Sequence, residues 1–175
     1  RYARAPARFR LGGQDALQQA IAEAEELIRT QPSNPYFWEL KGQALLEGGA
    51  PAKALASLRQ ANKLLPNSGL IQILYAQALI ATEDRANIKQ ALNLLTLAKK
   101  TERDSVDVYK YSALAYGYLN DLPRAELATA EMAMMQGDTA LASEKAKRVI
   151  GQFKHGSPEW MKANDVLNFT SKERN

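Results

Sequence analysis

The chain has 175 residues, of which 46% are apolar and 24% charged, and its 23 Lys and Arg against 19 Asp and Glu give a net charge of +4. These values are typical of a globular domain large enough to bury a core, and they argue against a disordered chain. Cysteine is absent, which excludes disulfides, thiol nucleophiles and cysteine-ligated metals.

The residue types predict an all-α fold. Alanine and leucine, which favour helices, occur 29 and 23 times, whereas Val, Ile and Thr occur only 4, 7 and 7 times. Prolines that suit a first helical turn and glycines that suit turns then divide the chain. In chain order the predicted helices are 1–11, 14–30, 34–47, 51–64, 68–81, 87–101, 105–119, 122–135, 138–152 and 157–168.

An internal repeat is visible from the second helix onward. Pro32 and Pro66 lie 34 residues apart, and each ends an apolar run of helical periodicity. The segment 35–66 resembles the tetratricopeptide repeat (TPR) consensus at seven of eight signature positions. The eighth position, usually a large apolar residue, is Lys41. The seven matching residues are Trp38, Gly42, Leu45, Ala54, Leu58, Ala61 and Pro66.

Later copies drift but keep the small residues of the signature. The second copy has three extra residues, which we assign to the turn 82–87, and the third copy runs from Tyr109. We expect the small residues to lie where two helix backbones approach closely, the aromatic residues to pack between helices, and Met132, Met134 and Met135 to fill gaps in the core. The signature residues of these copies are Ala76, Ala91, Ala98, Ala113 and Ala125.

The repeats predict a TPR-type right-handed α-solenoid of about ten helices arranged in antiparallel hairpins, because single hairpins cannot bury their apolar faces alone. We expect one domain over 1–175, with a partial repeat at 1–33, repeats at 34–66, 67–104 and 105–137, and a half repeat with a capping helix at 138–175. The capping helix is expected to cover Val149 and Phe153.

A groove that binds other proteins is the predicted functional site. In a TPR superhelix the inner surface comes mainly from the first helix of each hairpin. An aromatic, aliphatic and amide lining with some acids suits an extended or helical protein segment. The alternative is that Leu70, Ile73 and Ile80 pack against the neighbouring repeat. The predicted lining is Tyr36, Glu39, Gln43, Glu47, Leu70, Ile73, Gln77, Ile80, Asp107, Lys110, Leu114 and Tyr118.

The acid at Glu39 argues against one familiar TPR ligand. TPR domains that hold chaperone C-terminal carboxylates use Lys, Arg and Asn at such positions, whereas this chain has Glu39 and Gln43. A carboxylate would be repelled by Glu39.

Five segments of the chain, taken in their order, carry a more specific resemblance: 1–5, 34–43, 64–68, 142–148 and 156–160. Together they resemble the C-terminal TPR region of BepA-like bacterial zinc metallopeptidases, the family that also contains the CAAX prenyl endopeptidases, and its alphaproteobacterial members in particular. The resemblance implies a periplasmic parent enzyme with an upstream H-E-x-x-H domain that acts in outer-membrane protein quality control. The TPRs would engage misassembled substrates and the assembly machinery.

No catalytic role transfers from that family to this chain, because the zinc-binding half is missing and zinc is expected only there. His155 is the only histidine, and no H-E-x-x-H, G-x-S-x-G or phosphate-binding glycine loop occurs. A hydrolase centred on His155 is therefore disfavoured, and we expect no cofactor.

Two other functions stay open at this stage. One is a free-standing TPR scaffold or adaptor. The other, disfavoured, is a basic solenoid that binds nucleic acid, which Arg1, Arg4, Arg8 and Arg10 invite. The remaining charge is of mixed sign, as expected for a solvated face. No apolar run approaches the roughly 20 residues of a membrane span.

Overall fold

The computed structural model describes residues 13–172, and within them all regular secondary structure is helical. The predicted all-α fold class is confirmed. The predicted helix 1–11 lies outside the described residues. The helices are α1 (Gln14–Thr30), α2 (Pro35–Glu47), α3 (Pro51–Leu64), α4 (Gly69–Ala81), α5 (Arg85–Ala98), α6 (Val106–Tyr118), α7 (Leu122–Met135), α8 (Thr139–Val149) with a 3-10 turn (Ile150–Gln152), and α9 (Pro158–Lys172).

Local signals in the sequence account for where these helices begin. Pro35, Pro51 and Pro158 are first residues of their helices, where a missing N–H leaves no hydrogen bond unmade. Short polar side chains cap other helices: Asp121 accepts a hydrogen bond from Arg124 N–H at 3.2 Å, and Ser68, Asp84 and Asp138 cap in the same way. The predicted bounds therefore lie within a few residues of the observed ones.

The short turns that follow α2, α4, α6 and α7 share one backbone conformation. The second turn residue has a positive φ of +76° at Gly49, +56° at Glu83, +65° at Asn120 and +77° at Gly137. This left-handed conformation is common just after a helix, where it lets following N–H groups reach the last carbonyls. Ala50 N–H, for example, donates to Leu45 O at 2.9 Å. These four turns are thus alike although their residue types differ.

The three extra residues of the second repeat lie in the loop after α5, which corrects their predicted place in the turn 82–87. The turn 82–84 is as short as the turn 48–50, and α5 begins at Arg85 instead of residue 87. Asp84 Oδ1 accepts from Asn87 N–H at 2.9 Å, and Thr82 Oγ1 accepts from Asn87 Nδ2 at 2.9 Å. These bonds cap the first turn of α5. Because α3 and α5 have 14 residues each, the insertion lengthens the connection 99–105, which has seven residues where the connection 65–68 has four.

The chain divides into two compact units, residues 1–101 and 102–175. In the first unit each of α1 to α5 packs against the next, and α2 also touches α4. Gly42 of α2 permits the close approach to α3, because a Cβ at this position would lie 2.5 Å from Leu58 Cδ2. Tyr75, 2% exposed, joins three helices: its hydroxyl accepts hydrogen bonds from Arg59 Nε and Gln90 Nε2, both at 3.3 Å.

The second unit contains α6 to α9, and α9 covers the preceding hairpin as predicted. Helix α9 packs against both α7 and α8. Its Ala163 forms a buried cluster with Leu127 and Val149, and Phe153 packs at the edge of that cluster. The helix continues to Lys172, beyond the predicted end at residue 168.

Most signature residues are buried, but two are placed differently from the prediction. Ala113 and Ala125 are only half-buried. Pro66 lies just after the end of α3, as predicted, and is exposed. The Pro66 carbonyl accepts a hydrogen bond from Gln72 Nε2 at 2.7 Å. The buried members are Gly42, Ala54, Leu58, Ala61, Ala76, Ala91 and Ala98, and Trp38 and Leu45 are partly buried.

Candidate partner-binding surfaces

Helix α2 presents four of the predicted groove residues along one side. Tyr36, Glu39, Gln43 and Glu47 are three or four positions apart, so they share a face of the helix. Tyr36 is 48% exposed, and its N–H is held by Asn34 Oδ1 at 3.1 Å. Gln43 Nε2 donates to Glu47 Oε1 at 2.9 Å. The face combines one aromatic ring with amide and carboxylate groups.

Glu39 is the least solvated acid of this face. The side chain is half-buried, and burial raises the pKa of its carboxyl above the ordinary value. A cationic group from a partner would compensate the desolvated charge, whereas an anionic one would be repelled.

Helix α4 contributes less to a surface than predicted. Leu70 is 63% exposed and Gln77 half-buried, but Ile73 and Ile80 are only 7% and 2% exposed. The assignment of Ile73 and Ile80 to the groove is therefore wrong. Helix α4 contacts α2, α3 and α5, so it is enclosed by neighbouring helices. The alternative, in which these side chains pack against neighbouring helices, is correct for Ile73 and Ile80 but not for Leu70.

We define the α2/α4 surface as Tyr36, Glu39, Gln43, Glu47, Leu70 and Gln77. Since α2 touches α4, these residues lie on adjacent helices of one compact unit. That they bind a partner stays a prediction.

Helix α6 carries the remaining predicted residues. Asp107, Lys110, Leu114 and Tyr118 are all exposed, and their spacing places them on one face of the helix. Lys110 Nζ lies 5.2 Å from the centroid of the Tyr111 ring. We call these four residues the α6 surface, and it belongs to the second unit.

A pocket that the sequence interpretation missed lies in the second unit. It has a volume of about 290 Å³ and is formed by α6, α7 and α9. Two of the three methionines expected to fill the core are part of its wall: Met134 is half-buried, whereas Met135 is 44% exposed. The full lining is Tyr109, Glu131, Met134, Met135, Lys162, Asp165, Val166 and Phe169.

Charged residues outside these surfaces serve packing between helices. Lys41, which replaces the apolar signature residue, forms an ion pair with Glu25 of α1 at 2.9 Å. Arg124 on α7 pairs with Asp121 at 2.7 Å and with Glu159 of α9 at 2.9 Å. These ion pairs give some of the charged residues in the sequence a structural role that does not involve a partner.

Among residues 13–172 no cluster of His, Asp and Glu side chains could hold a metal ion. His155 is exposed, and its ring centroid lies 4.2 Å from that of Trp160. Over the same residues, no helix combines the length and apolar character needed to cross a membrane.

Comparison with known proteins supports a repeat domain. A sequence-family model described as "Cytochrome c-type biogenesis protein H TPR domain" matches residues 14–136. No curated protein gives a significant match.

Two solved structures share the fold. The MamA RS-1 ArsTM double mutant aligns over 98% of this chain and 92% of its own, at a TM-score of 0.68 and 15% identity. A thermophilic TPR protein of Thermus thermophilus, TTC0263, aligns over 96% of this chain and all of its own, at a TM-score of 0.57 and 16% identity. The fold and the family match are those of a non-catalytic TPR domain, a type of module that binds proteins.

Proposed function

The chain belongs to the family of cytochrome c-type biogenesis protein H TPR domains, and from this membership we propose that its α2/α4 surface binds an extended or helical segment of another protein. The observation that carries the proposal is the exposure of Tyr36 and Leu70 on adjacent helices. Large apolar side chains that are exposed can anchor a partner segment and set the affinity. The acidic and amide side chains beside them determine which partner binds.

Site-specific photocrosslinking tests this surface. A crosslinking residue at position 43 is expected to capture a partner protein, and one at position 56, an exposed site on α3, is the matched control. Tyr36→Ala should weaken partner capture while circular dichroism and the melting temperature stay unchanged. Crosslinks from position 56 alone would place the binding surface elsewhere.

Glu47→Lys tests the electrostatic part of the proposal. Glu47 is exposed, so its reversal should change which proteins are captured more than it changes stability. Unchanged partners at low salt would contradict a role for the acids.

We further propose that the module serves a periplasmic zinc metallopeptidase of outer-membrane protein quality control. The support is the sequence resemblance to the BepA-like family, above all in the segment 156–160. The repeats would hold substrates or assembly components near the protease and so raise their local concentration. Zinc would belong to the protease domain alone.

A second candidate is a partner-binding role in cytochrome c biogenesis, which the family description favours. The gene upstream of the Arg1 codon separates the two candidates. A signal peptide and an H-E-x-x-H helix in the same reading frame are expected from the metallopeptidase proposal. If both features are absent and cytochrome biogenesis proteins are captured, the second candidate is supported. If both are absent and other proteins are captured, a free-standing scaffold is favoured.

A further inference from the structure

We propose that the pocket between α7 and α9 is a second peptide-binding site, which takes a large apolar side chain next to a basic one. It goes beyond the proposed function because it uses none of the α2/α4 or α6 surface residues. The pocket can therefore bind even if both predicted surfaces do not.

The apolar walls argue for an apolar side chain as the occupant. Tyr109 and Val166, only 6% exposed each, are buried residues of the lining. Met135 and Phe169, 44% and 49% exposed, are apolar lining residues that solvent reaches. Exposed apolar groups that meet around a concavity mark binding sites more often than scattered ones. The flexible methionine can adapt to different occupants.

The size and the polar groups favour a peptide over a small molecule. A volume of about 290 Å³ lies just below the roughly 300–1,000 Å³ of small-molecule pockets. The polar lining consists of charged side chains, Glu131, Lys162 and Asp165, of which Lys162 is exposed at the edge. Such an arrangement suits a side chain that enters from a passing chain segment.

The charges at the pocket select a basic neighbour. The lining holds two carboxylates, Glu131 and Asp165, and one cation, Lys162, which also interacts electrostatically with Glu159. The charged side chains of the lining therefore sum to a net negative charge. A Lys or Arg beside the apolar anchor would complement it and be attracted at low salt.

A phage-displayed random peptide library panned on the full chain tests the proposal. Enriched peptides should combine a large apolar residue with Lys or Arg within a few positions. Phe169→Ala should weaken the binding of these peptides by about fivefold or more, as expected for a hot-spot anchor. Asp165→Lys should weaken it as well and should flatten its dependence on salt.

Matched variants keep the result interpretable. Met161→Ala, an exposed apolar residue of α9 outside the pocket, and Tyr36→Ala in the α2/α4 surface should both bind these peptides like the wild type. Circular dichroism would verify that each variant is folded.

Four outcomes would overturn the proposal: no enriched peptide, enrichment of acidic peptides, equal binding to the Phe169 and Asp165 variants and the wild type, or self-association of the chain through Phe169 in light scattering. Loss of binding with Tyr36→Ala alone would assign the peptides to the α2/α4 surface and overturn it as well.

Discussion

Gly42 illustrates how one missing side chain sets the distance between two helices. The nearest atoms to a Cβ at this position would be Leu58 Cδ2 and Cγ, both at 2.5 Å, which is closer than packed atoms come. Leu58 itself is fully buried, so it has little room to move. The glycine thus has a packing reason that outweighs its cost within a helix.

We therefore predict that Gly42→Ala destabilises the chain by about 1–3 kcal/mol through overpacking. The matched control is Gly117→Ala on α6, where a Cβ meets nothing within 4 Å. There the change should stabilise the helix by roughly 0.5–1 kcal/mol. Urea denaturation measures both, and equal effects at the two sites would contradict the packing argument.

Glu39 gives stability a dependence on pH. Burial raises the pKa of its carboxyl in the folded chain from an ordinary value of 4.5. At any pH between the pKa of the unfolded chain and that of the folded chain, folding is therefore accompanied by uptake of a proton. The free energy of unfolding then falls as pH rises through that interval. Glu39→Gln should raise the melting temperature at neutral pH, and the gain should vanish below the ordinary pKa of 4.5.

The control for this prediction lies on the same helix. Glu47→Gln concerns an exposed carboxylate and should change the free energy of unfolding by no more than about 0.5 kcal/mol. A gain from Glu39→Gln that persists unchanged at low pH would disprove the titration argument.

At the scale of elements, α9 acts as the cover of the second unit. Its Val166 packs with Ala130 and Ala146, and Leu167 packs against the same cluster. Glu159 in its first turn is bound by Arg124 of α7 at 2.9 Å. The helix contributes both apolar burial and a charged contact to its neighbours.

Deletion of residues 158–175 should consequently expose Val149 and Phe153, lower the melting temperature and cause aggregation. A chain shortened only by residues 173–175 serves as the control and should behave like the full chain. Light scattering and a thermal melt measure the effects. A monomeric 1–157 chain with an unchanged melting temperature would contradict the covering role.

The helices were predictable from sequence because their signals are local. Proline at a first turn and a polar cap act within four residues, as at Pro51 and Asp138. The burial of Ile73 and Ile80 was not predictable in this way, because it depends on the helices that enclose α4. The pocket also escaped detection, since Met135 and Phe169 are 34 residues apart in sequence and meet only through packing of α7 and α9.

At the scale of the whole molecule, the positive net charge of +4 does not predict affinity for nucleic acid. Several cations are engaged by carboxylates: Lys145 contacts Glu126 at 3.0 Å, and Arg148 contacts Glu144 at 2.6 Å. Nucleic-acid binding needs unpaired cations gathered along a phosphate backbone.

We therefore expect no specific binding of a single-stranded RNA of about 20 nucleotides at roughly 150 mM salt. Fluorescence anisotropy of the labelled RNA, repeated at about 50 mM salt, is the measurement. Tight binding with a steep salt dependence would instead support the basic-solenoid alternative.

The hydrogen bonds to Pro32 and Pro66 bear on how such chains diverge. Trp38 Nε1 donates to Pro32 O at 2.8 Å, and 34 residues later Gln72 Nε2 donates to Pro66 O at 2.7 Å. An indole and an amide differ in shape, yet each donates one N–H hydrogen bond from the equivalent position of its repeat. Duplicated segments can therefore change most of their residue types and still keep the same pattern of hydrogen-bond donors and backbone dihedral angles. Ancestry between copies is then better traced by atoms in equivalent roles than by residue identity.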